Sequence, residues 1–366
     1  MNQGPFRATT GKFVVAQTDN EVIAKSRRSK TREKEAPMHN ASTLSIVVPS
    51  YNEEDCIPLF LAAMADTIDD IDAAAPGMRV ELVFVDDGSR DRTAQLLREA
   101  ASGTWPFDVR WMSLSRNFGK EGALLAGLDA ASGDLVAVMD ADLQDPPSLL
   151  PRMAAMLADD PTLDCVATRR TTRAGEPPIR SAFSRLFYRL MNLVSPVEVP
   201  DGARDFRMMR RAMVDAITAL PERNRFSKGL YAWVGFRTAW IEYPNAKRAA
   251  GRTTWNFLTL TGYAIDGLMS CSTMPLTIAS YIGLLLCAVA FGATCFIAVR
   301  AALFGDPVAG WPSLACIVTF IGGLQLLCLG VIGRYLAKTY LETKRRPSYI
   351  VRDGNLGDNF REPASR

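Results

Sequence analysis

Two long stretches without a formal charge constrain this chain more than any other feature. The first runs for 33 residues between Asp266 and Arg300, and the second for 27 residues between Asp306 and Arg334. A helix needs about 20 apolar residues to cross the hydrocarbon core of a bilayer, so each stretch is long enough. A buried hairpin of a soluble protein is the alternative, and these lengths disfavour it. We therefore predict two transmembrane helices joined by a short loop.

Basic residues predict the orientation of these helices. The connecting segment carries a single charge, Asp306, whereas basic residues precede the first helix and follow the second. They are Lys247, Arg248, Arg252, Arg334, Lys338, Lys344, Arg345 and Arg346. Because basic flanks stay in the cytoplasm, we expect a multi-pass protein of the inner (plasma) membrane with both chain ends cytoplasmic.

Composition excludes several classes of protein. The net charge of +3 over 366 residues is too small for nucleic-acid binding by phosphate neutralisation. The single histidine, His39, leaves no material for a His-based zinc site or a Ser-His-Asp triad. Residues 1–42 lack an apolar run and are rich in Lys and Arg. They predict a disordered basic extension, or alternatively an arm on the membrane surface.

Short apolar runs alternate with segments of helical length between residues 44 and 168. The runs are Leu44–Pro49, Val80–Val85, Arg110–Leu114, Leu135–Met139 and Asp164–Ala167, and the helical segments are 53–72, 91–101, 119–131 and 148–158. This alternation predicts an α/β fold with a mostly parallel sheet covered on both faces. Ligands of such sheets bind beyond the carboxyl ends of the strands, so we expect the chemistry there.

An acidic pair follows the strand that ends at Met139. Asp140 and Asp142 share one face of an extended chain, and Gln144 follows two residues later. Their oxygen atoms suit Mg²⁺ or Mn²⁺, which keeps water ligands and binds substrate phosphates. For an isolated pair of this kind, a simple cap on the following helix is the alternative.

The ends of the first two strands offer contacts to a nucleotide. Asp86 and Asp87 can accept an N–H of a base, while Tyr51 offers a flat face and Glu53 an acceptor for ribose hydroxyls. Taken alone, the Asp86 motif is also a common turn and helix cap. Acidic walls repel a bare pyrophosphate, so the charges themselves call for a metal. Together the three strand ends predict a pocket for a nucleotide diphosphate held through a metal.

Four motifs in this order resemble the glycosyltransferase family 2 enzymes of GT-A fold. They are Val48-Pro49-x-Tyr51-Asn52-Glu53, Val85-Asp86-Asp87-Gly88-Ser89, the run from Arg116 to Glu121 and the run from Asp140 to Pro147. Within this family, the stretch from about residue 43 to 350 is similar to the polyprenyl-phosphate glycosyltransferases. The resemblance implies inverting transfer of one hexose from a UDP- or GDP-sugar, with UDP-glucose preferred, to polyprenyl (undecaprenyl) phosphate.

The resemblance also implies roles for individual residues. Mg²⁺ or Mn²⁺ would bind at Asp142 and Gln144, and the catalytic residues would be Asp140, Asp142 and Asp205. The donor nucleotide would meet Pro49, Tyr51, Glu53, Asp86, Asp87 and Asp140, and the acceptor phosphate would meet Arg169, Arg173, Arg180, Ser184, Arg207 and Arg248. A phosphate monoester has a second pKa of about 6 and is already nucleophilic at neutral pH, so Asp205 is expected to orient groups or serve as an optional base. Thr254 stands where the family pattern has lysine.

The predicted organisation has five parts. They are a basic extension (1–42), a cytoplasmic GT-A domain (43–250), a juxtamembrane interfacial helix (251–272), two transmembrane helices (273–336) and a cytoplasmic tail (337–366). A second interfacial helix is expected at 176–194, where Arg180 and Ser184 share a face. The expected partners are the nucleotide sugar, the polyprenyl phosphate and the bilayer, with further copies of the chain and a flippase also considered. The alternatives are a family 2 enzyme with another acceptor and a non-catalytic scaffold for a lipid-sugar flippase.

Overall fold

The computed structural model describes residues 42–171, 202–244, 272–304 and 310–356. Within them the chain forms one eight-stranded sheet with strand order β7-β5-β6-β4-β1-β2-β3-β8. The strands are β1 (Thr43–Ser50), β2 (Arg79–Asp86), β3 (Asp108–Leu114), β4 (Leu135–Val138), β5 (Cys165–Arg170), β6 (Ala203–Arg210), β7 (Thr238–Tyr243) and β8 (Val351–Gly354). The predicted extension and the two predicted interfacial helices lie outside these residues, except for Ser42 and Ser272.

The sheet is mixed but mostly parallel. Strand β1 pairs in parallel with β2 and β4, β2 with β3, and β5 with β7. Strand β6 runs antiparallel to β4 and β5, and β8 runs antiparallel to β3. The predicted α/β class with a mostly parallel sheet is therefore confirmed, and the carboxyl ends of β1, β2, β3 and β4 meet at one edge.

Helices cover both faces of the sheet. They are α1 (Ile57–Ala74), α2 (Thr93–Ala101), α3 (Lys120–Ala130), α4 (Leu150–Asp159), α5 (Arg211–Thr218) and α6 (Ser227–Trp233). Ile46 belongs to a core with Phe60 of α1, and its neighbour Val47 belongs to a second core with Leu124 of α3. Successive side chains of a strand point to opposite faces, so β1 is apolar on both sides because both sides are covered.

The strands and helices predicted between residues 44 and 168 are confirmed, with their ends shifted by a few residues. The first helix begins at Ile57 rather than at residue 53, because a turn precedes it and Pro58 occupies its first turn. A short 3₁₀ turn, Pro147–Leu149, leads into α4. Strands β6, β7 and β8 were not predicted.

Two long helices follow, α7 (Met274–Phe304) and α8 (Trp311–Thr343). Both are long and apolar enough to cross a membrane, and the apolar parts of neither are buried. Large side chains such as Phe291 (72% exposed) and Leu326 (71% exposed) face outward. The Tyr335 hydroxyl of α8 donates to the Ser272 carbonyl just before α7, at 2.7 Å. Extensive exposed apolar surface of this kind indicates an environment other than water.

The chain returns to the sheet after α8. We call residues 344–356 the C-terminal strap, which contributes β8 to the sheet edge beside β3. Tyr349 is buried, and its hydroxyl donates to Asp129 Oδ2 of α3 at 2.9 Å. A Cβ on Gly122 would lie 3.1 Å from the Ser348 carbonyl oxygen, a tight contact, so the close approach of the strap to α3 favours a small residue there. The C-terminal region, expected to be a tail, is thus partly integrated into the sheet.

Candidate active site

A cleft of about 500 Å³ opens at the carboxyl ends of β1, β2 and β4. It is lined by Pro49, Ser50, Tyr51, Glu53, Asp87, Asn117, Phe118, Gly119, Lys120, Glu121, Ala123, Asp140, Ala141 and Asp142. Six of these residues were predicted to belong to the site: Pro49, Tyr51, Glu53, Asp87, Asp140 and Asp142. The structure brings these six together because parallel strands present their carboxyl ends at one edge.

Hydrogen bonds hold the loops after β1 and β2 against each other. The Asn52 N–H donates to Ser89 Oγ, and the Arg90 N–H donates to Asn52 Oδ1, each at 2.9 Å. The Glu53 N–H donates to Thr93 Oγ1 at 2.9 Å. Asn52 has a φ of 53°, a left-handed conformation that asparagine adopts more readily than most residues. These hydrogen bonds therefore fix the backbone at Tyr51 and Glu53, the two neighbours of Asn52 that line the cleft.

Asp86 lies behind the loops that follow β1 and β2, away from the cleft. It is 1% exposed and does not line the cleft. Its Oδ1 accepts the Ser89 N–H at 2.9 Å, and its Oδ2 accepts the Ser113 hydroxyl at 2.5 Å. Both carboxylate oxygens thus have partners within the protein, and they join the ends of β2 and β3.

Asp87 does line the cleft, and it organises the loop between β3 and α3. Its two carboxylate oxygens accept the N–H groups of Phe118 at 2.6 Å and Gly119 at 2.9 Å. Burial raises the pKa of Asp87 to about 6, against the opposing effect of these two donors. Gly88 has a φ of 68°, and a Cβ there would lie 2.6 Å from the Arg116 carbonyl carbon. The loop can therefore pack on β2 only over a glycine.

Lys120, the first residue of α3, lies between carboxylates from two distant parts of the chain. Its Nζ is 2.8 Å from Asp140 Oδ1 and 2.7 Å from Asp205 Oδ2. Burial alone would lower the pKa of Lys120, but the two carboxylates raise it above its usual range. Burial would likewise raise the pKa of Asp205, but Lys120, and beyond it Lys228, hold that pKa well below its usual range. Lys120 and Asp205 are therefore both charged at neutral pH.

Lys120 was not predicted as a site residue. It belongs to the Arg116–Glu121 motif, from which the sequence predicts no role for an individual residue. The position of Lys120 in the sequence could have predicted it as a site residue. Its motif follows β3, which is a fourth strand that ends at the same edge of the sheet.

Glu121 connects the cleft to α6. Its Oε2 accepts both the N–H of Ser227, at 3.0 Å, and the Ser227 hydroxyl. Burial raises the pKa of Glu121, and the nearby charge of Asp205 adds to this effect. The start of α6 is therefore held directly beside the Lys120 cluster.

The predicted metal ligands lie in a tight turn after β4. Asp142 Oδ1 accepts the Gln144 N–H at 3.0 Å, and Leu143 between them has a φ of 57°. Within the described ranges, no three His, Cys, Asp or Glu side chains form a group that could hold a metal ion. Asp142 lies beside Asp140 in the cleft lining, whereas Gln144 does not line the cleft and its Oε1 accepts a hydrogen bond from Arg204. The carboxylates of Asp140 and Asp142 are therefore the hard oxygen donors that the cleft presents. Such a set fits Mg²⁺ or Mn²⁺ that takes its other ligands from water and a diphosphate.

Arg204 of β6 holds this turn in place through hydrogen bonds to two of its side chains. Its guanidinium donates to Asp145 Oδ1 at 2.8 Å and to Gln144 Oε1 at 3.2 Å. The Tyr243 hydroxyl of β7 donates to the same Asp145 oxygen. Burial raises the pKa of Asp145, against the opposing charge of Arg204. The two unpredicted strands, β6 and β7, thus position the predicted metal site.

The residues predicted to bind the acceptor phosphate are only partly described. Arg173, Arg180, Ser184 and Arg248 lie outside the described residues. Arg169 forms an ion pair with Glu242. Arg207 is 3% exposed, and its guanidinium lies 3.6 Å from the centre of the Tyr231 ring. Arg207 is therefore buried against Tyr231, and the acceptor role of these residues stays a prediction.

Known proteins match this chain over most of its length. The model of the family described as Glycosyl transferase family 2 matches residues 45–218. The SfII prophage-derived bactoprenol glucosyl transferase of Shigella flexneri is 39% identical over 86% of this chain and 99% of its own. The prophage bactoprenol glucosyl transferase homolog of Escherichia coli (strain K12) is 39% identical over 84% of this chain and 98% of its own length. The solved structure of a mannosyltransferase of Pyrobaculum calidifontis, in complex with GDP-Man and Mn²⁺, is 18% identical in sequence. The match covers 88% of this chain and 93% of the mannosyltransferase, with a TM-score of 0.40.

Proposed function

Because the chain belongs to glycosyltransferase family 2, we propose that it transfers a single sugar from a nucleotide sugar to the phosphate of a polyprenyl (undecaprenyl) phosphate. The observation that carries this proposal is the cleft in which Asp87, Asp140 and Asp142 stand beside the Lys120–Asp205 ion pair. Relatives named bactoprenol glucosyl transferase, matched over nearly their whole length, support glucose as the sugar. We propose UDP-glucose as its donor.

In this proposal the nucleoside lies at the ends of β1 and β2, against Tyr51, Glu53 and Asp87. The diphosphate lies toward Asp140 and Asp142. Mg²⁺ or Mn²⁺ would be held by Asp142 and Gln144, and when bound it would neutralise the diphosphate and stabilise it as a leaving group. The open cleft and the small number of protein ligands support this arrangement, because substrate oxygens can then complete the metal's coordination.

The proposed reaction is a single displacement at the anomeric carbon. An oxygen of the acceptor phosphate forms the new bond while the bond to the nucleoside diphosphate breaks, and the electron pair leaves with the diphosphate. The configuration of the sugar is inverted. The acceptor, with a second pKa of about 6, needs no proton removed at neutral pH.

Asp205 acts in this scheme as a fixed charge. Its lowered pKa makes it a weak base, and its carboxylate is engaged by Lys120. Lys120 in turn holds Asp140 at 2.8 Å and keeps it in place beside the donor. The cluster thus fixes the position of charges before the substrates arrive, which is the main source of electrostatic catalysis.

We also propose that α7 and α8 cross the inner membrane, with the α/β domain and both chain ends on the cytoplasmic side. The exposed apolar side chains of both helices support the crossing. The basic residues that flank them, and their near absence from the segment between, support the orientation.

The purified full-length protein tests the function directly. It would be incubated in lipid discs with Mn²⁺ or Mg²⁺, undecaprenyl phosphate and radiolabelled UDP-glucose, UDP-N-acetylglucosamine, UDP-galactose or GDP-mannose in turn. We expect label to pass into the organic phase, with a product mass equal to the lipid phosphate plus one hexose. Label in another acceptor would reassign the substrate, and no turnover of any donor would favour a non-catalytic role.

A further inference from the structure

Helix α8 continues beyond its uncharged part and there carries Arg334, Lys338 and Glu342. The uncharged stretch ends at Gly333, whereas α8 continues from Arg334 to Thr343. At 1.5 Å per residue, Glu342 lies about 12 Å further along the helix axis than Arg334. With α8 spanning the bilayer as proposed above, this last part stands above the membrane surface as a stalk.

Glu342 attaches the stalk to the α/β domain. Its carboxylate accepts the N–H of Asn224 at 2.8 Å and that of Arg223 at 3.0 and 3.1 Å. In the opposite direction, the Arg223 guanidinium donates to the carbonyl oxygens of Arg346 at 2.6 Å and Pro347 at 3.3 Å. Hydrogen bonds that involve a charged group are the stronger ones, so the loop before α6 and the end of α8 hold each other firmly.

The strap extends this attachment to the helix that carries Lys120. Ser348 packs closely on Gly122 of α3, where a Cβ would lie 3.1 Å from the Ser348 carbonyl oxygen. One residue further, the Tyr349 hydroxyl binds Asp129 near the end of the same helix. The strap therefore contacts α3 near both of its ends, and α3 begins at Lys120.

The loop held by Glu342 reaches the cleft by a second route. Three residues after Asn224, the N–H and hydroxyl of Ser227 bind the Glu121 carboxylate. Glu121 lines the cleft and follows Lys120 directly. Two separate series of contacts thus connect the end of the stalk to the first turn of α3.

We propose that Glu342 and Arg223 are positioning residues that hold the cleft at one height and orientation above the bilayer, where it meets a phosphate carried by a membrane lipid. This inference rests on the proposed function. A lipid phosphate is confined to the plane of the membrane, whereas a soluble acceptor approaches from any direction. Fixing the cleft therefore raises the effective concentration of the first kind of acceptor and leaves the second unaffected.

Two acceptors test this difference in the full-length protein reconstituted in lipid discs. One is a long-chain polyprenyl phosphate embedded in the disc, and the other is a short-chain, water-soluble prenyl phosphate. For Glu342→Ala and for Arg223→Ala, we expect kcat/KM with the embedded acceptor to fall about tenfold, as for the loss of a charged hydrogen bond. With the soluble acceptor, kcat/KM and the affinity for nucleotide should change less than about twofold. Thr339→Ala is the matched control, because among the described residues its hydroxyl bonds within α8, to the Tyr335 carbonyl at 3.0 Å.

Equal losses with both acceptors, or no loss with the embedded one, would overturn the inference. A wild-type protein that uses neither acceptor would instead refute the proposed function. Energy transfer from a fluorescent nucleoside diphosphate in the cleft to dyes on the disc surface gives a readout independent of turnover. We expect one narrow distance distribution for the wild type and a broadened one for both variants, and identical distributions would contradict the proposal.

Discussion

Lys120 and Asp205 form an ion pair of 2.7 Å that joins the first turn of α3 to β6. The two residues are distant in sequence, and the same ammonium group also contacts Asp140. One lysine thus holds together two carboxylates that would otherwise repel each other at the wall of the cleft.

Replacing Lys120 by methionine should lower kcat by about a hundredfold, similar to the loss of one charge-stabilising donor in other enzymes. Asp140 and Asp205 would lose their shared partner, and the pKa of Asp205, which Lys120 lowers, would rise. Lys120→Arg should retain more activity because it keeps the charge. Steady-state kinetics of the two variants would check this, and equal activity in Lys120→Met and the wild type would contradict it.

Asp142→Ala should abolish transfer and the metal-dependent binding of nucleoside diphosphate. Loss of one of two protein ligands would leave a diphosphate facing the uncompensated charges of Asp87 and Asp140. Calorimetric titration of UDP with and without Mn²⁺ would measure the effect. Asp66→Ala is the matched control, because Asp66 is exposed on α1 away from the cleft. Unchanged turnover in Asp142→Ala would refute the metal assignment.

Asp87 should make stability depend on pH. Its pKa rises from 3.8 to about 6 on folding. Between these values the folded protein binds a proton that the unfolded chain has lost, so stability should fall as pH rises through this window and then level off. The Asp87→Asn side chain cannot titrate, so it does not lose this stability as the pH rises. The free energy of unfolding of the variant, relative to that of the wild type, should therefore increase by roughly 1 kcal/mol from about pH 4 to about pH 7, allowing for solvent screening. Melting temperatures of both proteins across this range would show it, whereas parallel pH profiles would contradict it.

A reporter fused near Gly310 should be periplasmic, and one at the C-terminus should be cytoplasmic. The structure adds a reason beyond the basic residues, because the strap pairs with β3 and must lie on the same side as the sheet. Alkaline phosphatase and fluorescent-protein fusions would measure the two locations. The reversed pair of signals would refute the proposed topology.

The sequence predicts the sheet where strands are continuous apolar runs, as in β1, and fails where they are not. Strand β6 carries Arg204, Arg207 and Arg210 among its apolar residues, which obscures the pattern. Each arginine has a partner that the sequence cannot show. For Arg210, for example, these are carbonyl oxygens such as that of Leu163, at 2.7 Å. Strand β8 is short and polar, and it is a strand only because β3 is beside it.

The residues of the site likewise divide into those that the sequence could predict and those that it could not. Asp140 and Asp142 could be predicted because both follow one recognisable strand, and the parallel sheet then places them beside Asp87. The Lys120–Asp205 pair could not, because it needs α3, β4 and β6 to be placed in three dimensions first. The acceptor residues Arg180 and Ser184 remain predictions from helical spacing and resemblance.

Strand β8 also has a consequence for how the protein is made. The edge of the catalytic sheet is completed by Val351–Gly354, which leave the ribosome after both long helices. Tyr349, buried against α3, emerges equally late. The sheet therefore cannot reach its final form until the apolar helices have been synthesised, and a fragment that stops before them would lack its last strand. Synthesis of both long helices thus precedes completion of the sheet, so a nascent chain that does not yet include them lacks the finished α/β domain.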